Sequence, residues 1–536
     1  MPNYGVCVEI CQEIHPLPLA FGIMPAPSKR PLMFHLRMLA PEQFAALRTC
    51  LLQSGFSESA LRQRLEIPPE KPLDIVSLST RPWSNRPVAD CLDALINLFV
   101  LGDALPTDAA TSRFSAPVWD ALRQSELVVV EAGESTRCAA SAALFPLRDL
   151  YFAADRWANV DHSIRTTFND IVYPAMTKSG SQFLNYTSYA ACEDFLELCA
   201  GTAPAALLAA RTAKNVWAAD ITERSLAYAK FNAALNGIQN VSFALGDLFQ
   251  PLEGRMFDRI AVHPPYLPVL KTAEIYSSGG QLGEDVLKKI VSELPGRLKP
   301  GGRLYCRTLG MDRAERSFED NVRQWLGKNQ SDFDIALFVL DALPPRRFAL
   351  EQALTSGRGR AEIAEWEEVF EENRVTTLLA VVLVIQRKDS ERAPFVLRRT
   401  MRDGTAPEAI EWAFRWETDL LSKRLGNELQ NARPIATAGT EITARHVLKD
   451  GELAAEEFKM RVKQPFDVEW TVQPWMPLLL PICDGKKTVA DLFEACKQNG
   501  WILPETPAAE FCGLIGTLVS GGFLQVEKLT WREAAG

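Results

Sequence analysis

Between residues 190 and 390 the chain alternates short apolar runs with amphipathic stretches. The runs at 194–198, 215–220, 241–245, 257–262, 303–309, 333–340 and 375–387 predict strands. The stretches at 203–211, 225–236, 283–294 and 313–327 predict helices between them. Strands that alternate with helices predict an α/β, Rossmann-like domain with a mainly parallel seven-stranded sheet. Thr376 to Ile385 is almost continuously apolar, as a strand buried on both faces is. Residues 346–373 read as a charged helical insertion ahead of it.

The flanks follow a different pattern. Pro41 opens a predicted helix to Gln53, Ser57 caps a second from Glu58 to Leu65, and Pro87 precedes a third from Val88 to Leu101. Glu126–Glu131 and Arg137–Leu144 bracket a turn and predict a β-hairpin. A helical, winged-helix-like domain over 33–150 follows, behind an N-terminal extension, 1–32. The α/β domain takes 151–394, a connecting helical segment 395–465, and a small winged-helix-like domain 466–536. In that last unit Thr488 and Asp491 make a capping box, Thr506-Pro507 opens a second helix, and Phe523–Leu529 reads as a strand.

The candidate chemistry lies at the ends of the central strands. The first strand runs into Glu-Leu-Cys-Ala-Gly-Thr-Ala-Pro (197–204), where Gly201 allows a ligand close to the backbone. The second ends at Asp220, about twenty residues on, the spacing at which a carboxylate can accept from ribose hydroxyls. One glycine is not a dinucleotide fingerprint, and no phosphate loop is present, so a cofactor without phosphates fits better. The third strand leads to Gly246-Asp247-Leu248, and the fourth ends His263-Pro264-Pro265-Tyr266.

These motifs, in this order, resemble the class I S-adenosylmethionine (SAM) methyltransferases. The likeness is to the group whose fourth strand ends Asn-Pro-Pro-Tyr, which includes release-factor glutamine and ribosomal RNA guanine methyltransferases. It covers roughly residues 180–310. It implies SAM as cofactor, held by Glu197, Cys199, Gly201, Asp220, Ile221, Asp247, Leu248 and His263, and catalysis at His263, Pro264, Pro265 and Tyr266 by in-line methyl transfer. The family usually has Gly where this chain has Cys199 and Ala203, and Asn where it has His263. Glu197 reads either as an orienter of the turn or as a surface-facing strand residue. Asp220 reads either as a ribose partner or as a helix cap ahead of Thr222. Asp247 reads either as a partner of the adenine amine or as a turn residue.

An amide or aromatic amine is a poor nucleophile until acceptors on its N–H groups localise the lone pair. A neutral imidazole can accept one such N–H, and can also act as a base. In either role it would titrate near the free imidazole value, about 6.5 before environmental shifts. The acceptor implied is therefore a nitrogen on a small molecule or protein. Alternatives are a ribosomal RNA or other nucleic-acid base, an oxygen deprotonated by His263, or a non-catalytic scaffold. Arg165, Phe168, Tyr173, Phe183, Tyr186 and Tyr189 precede the first strand and can wall the acceptor pocket or serve as core. The glycines of 276–285 can let a loop fold over it.

Composition narrows the partners. Of 536 residues 47% are hydrophobic and 23% charged, which suits several globular domains. A net charge of −9 gives no electrostatic footprint for nucleic acid, which stays possible but not favoured. Eleven cysteines with no C-x-x-C pair fit a reducing compartment. Cys7, Cys11 and His15 share one potential helix face, but no fourth ligand lies near, so no metal is expected. No signal peptide or membrane span is read, Met33 could be an alternative start, and a cytoplasmic protein is expected. Oligomeric state is left open.

Overall fold

The computed structural model describes residues 36–80, 87–130, 136–160, 162, 169–270, 277–402, 404–422, 425–449 and 451–526. The extension 1–32, Met33, Arg165, Phe168, Tyr276 and the basic pair at 423–424 lie outside these residues. At the centre is a sheet of eight strands. They are β1 (Cys192–Leu198), β2 (Ala213–Asp220), β3 (Val241–Leu245), β4 (Phe257–Val262), β5 (Leu298–Arg313), β6 (Phe333–Leu343), β7 (Val375–Arg387) and β8 (Val396–Thr400). Their order is β8-β6-β7-β5-β4-β1-β2-β3. The pairs from β3 to β5 are parallel, β7 runs antiparallel to both β5 and β6, and β8 is parallel to β6. The mainly parallel sheet expected is thus present, with one strand more than seven. Crossovers through helices such as Pro204–Ala209 and Glu223–Asn236 join its parallel strands.

The additional strand sits in the segment expected to be a helical connector, and that expectation is corrected. Residues 395–465 hold β8, the helix Glu408–Leu421, and a long hairpin of β10 (Glu441–Lys449) and β11 (Glu452–Val462), after a short β9 (Pro434–Ala436). Arg398 and Arg399 disguise β8. Their charges are spent laterally, Arg398 on Asp312 and Glu319 and Arg399 on Ser520, as suits an edge strand. Nor does a boundary fall at 465. Trp416 of the helix donates from Nε1 to the Gly516 carbonyl at 2.9 Å, and β9 pairs with Leu524–Val526. One buried cluster joins Trp412, Phe414 and Trp416 to Leu492, Phe511 and Ile515, and to Tyr305 and Phe338 of the sheet.

The other flank is also continuous with the sheet. Val128–Val130 pairs with Arg137–Ala140. A second hairpin, Ala142–Leu147 with Leu150–Asp155, straddles the boundary expected at 150. The reason is its far edge. Asn232 and Asn236, one turn apart on the helix after β2, exchange hydrogen bonds with the backbone of Ala153 and Tyr151 at 2.7–3.1 Å. Asp155 takes the Arg224 guanidinium in a buried ion pair and accepts from Tyr228 Oη at 2.9 Å. Phe44, Leu51, Phe99, Phe152 and Phe231 share one core with Leu207 beside the first turn.

Candidate active site

The sheet order reverses between β1 and β4, so a crevice opens beyond their C-terminal ends. A cavity of about 350 Å³ fills it. Its walls include each residue expected to hold the cofactor or to act in catalysis: Glu197, Cys199, Gly201, Asp220, Ile221, Asp247, Leu248, His263, Pro264, Pro265 and Tyr266. Ligand sites are concave and mainly apolar, with a few convergent polar groups, and this cavity has that character.

The turn after β1 is built from left-handed residues. Cys199, Gly201 and Ala203 have φ of 51°, 52° and 59°. Two of these positions lack glycine, and the left-handed region costs an ordinary residue about 1–2 kcal/mol. The helix that follows and its buried alanines hold the strain in place. A Cβ on Gly201 would meet nothing within 4 Å, so its bareness faces open cavity. Glu197 is not surface-facing. It is 2% exposed and accepts from Ala206 N–H at 2.7 Å, tying β1 to the helix start. Burial pushes its carboxyl up to about 8, against the pull of the Ala206 and Ala205 N–H groups. Burial also pushes the Cys199 thiol well up, which leaves a small protonated side chain rather than a nucleophile.

Asp220 closes the floor. Its carboxylate accepts from Gly201 N–H at 2.9 Å and from Thr222 N–H at 3.0 Å and Oγ at 3.2 Å. The helix cap is Thr222 itself, which accepts from Ser225 N–H. Ile221 follows with 56% of its surface exposed, an apolar side chain beside a carboxylate on the cavity wall. The Asp220 carbonyl accepts from Gly246 N–H at 3.0 Å, which sets exposed Asp247 and half-buried Leu248 on the rim.

His263 lies at the other end. Its ring is packed between Phe183, 5.5 Å away, and Tyr266, 5.4 Å away and nearly parallel. Nε2 is buried with no hydrogen-bond partner among the described residues. Burial, aided by the nearby Arg307 charge, drives the imidazole down to about 3. The expected titration near 6.5 is therefore corrected: this ring is neutral across the physiological range. So low a value also makes it a poor proton acceptor in the Brønsted sense, while its lone pair can still accept a hydrogen bond. Pro264 and Pro265 fix the backbone beyond β4. Tyr266 is then clasped by the glycine loop. Leu267 and Ser277–Gly279 exchange backbone bonds at 2.9 and 3.0 Å. A Cβ on Gly283 would come within 2.2 Å of the Tyr266 carbonyl oxygen.

A roof crosses above. Thr177 caps the helix Lys178–Asn185, and Phe183 and Tyr173 reach the cavity. Tyr186 packs instead on the C-terminal cluster, and Tyr189 stacks on Phe195. The sequence reading missed Gln182 and Arg307. Arg307 is 4% exposed, lies over the Tyr266 ring at 5.4 Å, and donates from Nε to Gln182 Oε1 at 3.2 Å. The one available signal was two arginines, 303 and 307, on the same face of an apolar strand.

Residues 192–374 match the family model described as a methyltransferase domain. A putative protein N5-glutamine methyltransferase from Methanocaldococcus jannaschii is 38% identical over 117 residues, 20% of this chain and 58% of that protein. A ribosomal protein uL3 glutamine methyltransferase from Bradyrhizobium diazoefficiens is 33% identical over 159 residues, 27% of this chain and 50% of its own length. A release factor glutamine methyltransferase from Thermodesulfovibrio yellowstonii is 31% identical over 123 residues, 20% and 44% of the two chains. The chain spans about half the length of these curated relatives. Residues 192–374 are thus similar to a methyltransferase domain, and the relatives named here are glutamine methyltransferases.

Proposed function

We propose that this protein is an enzyme that uses SAM to methylate a nitrogen of a protein side chain. One observation carries the reading: the cofactor motifs and the neutral His263 line the same cavity. The residues present suit SAM. Gly201 leaves room for a ligand, Ile221 offers an apolar surface, and Asp220 retains carboxylate lone-pair directions beyond its three internal bonds. In this reading Asp220 holds the ribose, Ile221 and Leu248 flank the adenine, Asp247 takes its amine, and Glu197 sits under the amino-acid end. Bound SAM supplies an electrophilic methyl group on a sulfonium.

The chain's own part is positioning. A ring nitrogen of His263 accepts an N–H of the acceptor, so that the nitrogen lone pair is localised. Phe183 and Tyr266 hold the ring rigid and exclude water around it. Such preorganisation is worth up to about 7–11 kcal/mol of barrier at best. A hydroxyl acceptor that must lose its proton to His263 is disfavoured by the depressed basicity of the ring.

A protein acceptor is supported by relatives named for glutamines of a ribosomal protein and a release factor. The C-terminal order of helix 408–421, β9, helices 489–498 and 508–520, and strand 524–526 supports a winged-helix reading of that module. The cytoplasm is the proposed compartment, in keeping with nine free cysteines among the described residues. No helix among the described residues is long and apolar enough to cross a membrane. The test is incubation of the enzyme with isotopically labelled SAM and separated protein, RNA and metabolite fractions, read by mass spectrometry. Label on a protein side-chain nitrogen is expected. Label confined to RNA or metabolites would overturn the choice of acceptor, and no label with no SAM binding would overturn the enzyme.

A further inference from the structure

Arg307 is a buried cation without a counter-charge. It comes from the middle of β5, is 4% exposed, and forms no ion pair with any carboxylate among the described residues. Its bonds go to neutral acceptors: Nε to Gln182 Oε1 and Nη1 to the Thr308 carbonyl at 2.9 Å. Two other arginines with little-exposed side chains are paired with carboxylates. Arg224 is paired with Asp155 and Arg392 with Asp334. Desolvating a guanidinium is costly unless an anion compensates it. Arg307 also lines the cavity, beside the ring that the proposed acceptor must meet.

The fork is held for use. Gln182 fixes Nε, Thr308 fixes one edge, and the Tyr266 ring supports the guanidinium face. The second terminal nitrogen makes no hydrogen bond among the described residues. A planar, preoriented donor pair in a low-dielectric wall matches a carboxylate. We infer that Arg307 is the anion-binding group of this cavity and receives a carboxylate from its occupant. Resting on the reading above, the carboxylate has two possible sources. One is the amino-acid end of SAM, and the other is an acidic group on the acceptor close to the methylated nitrogen.

Calorimetry on the full chain separates them. S-adenosylhomocysteine carries the carboxylate, 5′-methylthioadenosine lacks the amino-acid carbons that bear it, and glutarate stands for an acidic acceptor. If the cofactor is the source, R307Q weakens S-adenosylhomocysteine about tenfold or more and leaves methylthioadenosine unchanged. If the acceptor is the source, R307Q leaves both nucleosides unchanged, and glutarate binding to the wild type falls about tenfold or more. R307K keeps the charge without the fork, and it decides the matter if R307Q does not fold. It should lose affinity for the same carboxylate ligand and for no other. The inference is overturned if the variants bind both nucleosides as the wild type does and glutarate does not distinguish them from it. A wild type that binds neither nucleoside refutes the methyltransferase reading instead. Glutarate, titrated with and without nucleoside, then judges Arg307 alone.

Discussion

His263 makes a stability prediction that needs no knowledge of the acceptor. In the unfolded chain an imidazole takes a proton below about pH 6.5. In the folded protein burial beside Phe183, Tyr266 and Arg307 holds it unprotonated down to about 3. Between those limits the unfolded state binds more protons, so stability falls as the pH falls. The full effect is about 1.4 kcal/mol per pH unit, or about 2 kcal/mol from pH 7 to pH 5. His263 as a residue is only half-buried, so about 1–2 kcal/mol is expected. The assay is urea unfolding of the wild type and His263→Asn at both pH values. Asn does not titrate, so subtracting the two slopes removes the other groups. The wild type should lose about 1–2 kcal/mol more than the variant on acidification. Equal losses would mean that His263 titrates normally in the fold, and its neutrality as a hydrogen-bond acceptor would have no basis. For the same reason the turnover profile should show no acid limb near 6.5 that His263→Asn removes.

Four further outcomes follow from the same geometry. Glu197 has its folded value raised to about 8, so it destabilises the protein as pH rises from the unfolded carboxyl value through 8, and Glu197→Gln should flatten that loss in thermal melts at pH 6 and 9. If Glu197 faces the ammonium of SAM, binding at pH 7 should release up to about one proton, read by calorimetry in buffers of different ionisation enthalpy; zero release in wild type and Glu197→Gln alike would separate it from the cofactor. Asp220→Ala orphans the Gly201 and Thr222 donors and should lower stability by about 2–4 kcal/mol as well as nucleoside affinity, so an unchanged melting temperature would contradict the bonding described. Deleting 466–536 should give insoluble protein rather than a folded enzyme lacking one module, because it strips the cover from Trp412, Phe414 and Trp416; a soluble, cooperatively melting truncation would refute the shared core.

The central strands and their turns were readable because strand ends carry the chemistry, and Glu197, Asp220, Asp247 and His263 each mark one. The left-handed turn was readable only in outline, since Cys199 and Ala203 adopt a backbone that their side chains do not advertise. The state of His263 was not readable at all. It depends on Phe183 and Arg307, which meet it only through the tertiary fold, and solvation is not a local property of sequence. The edges were misjudged for a related reason. Asn232 and Asn236 look like ordinary polar helix positions, yet they complete the edge of a distant hairpin. β8 looks too charged for a strand until Asp312 and Glu319 are placed beside it.

Strand β5 bears on how this protein can be altered. Arg303 and Tyr305 both bind Glu411 of the C-terminal module, and Arg307, two residues on along the same face, reaches the cavity. Successive same-face positions on a strand are about 7 Å apart. The module's seat and the pocket wall are thus one piece of backbone, with no hinge between them. The two cannot be exchanged like cassettes. A chimera that replaces the C-terminal unit must carry compatible partners at 303 and 305, and drift at that joint will register at Arg307. Lineages that change the module should change this strand with it.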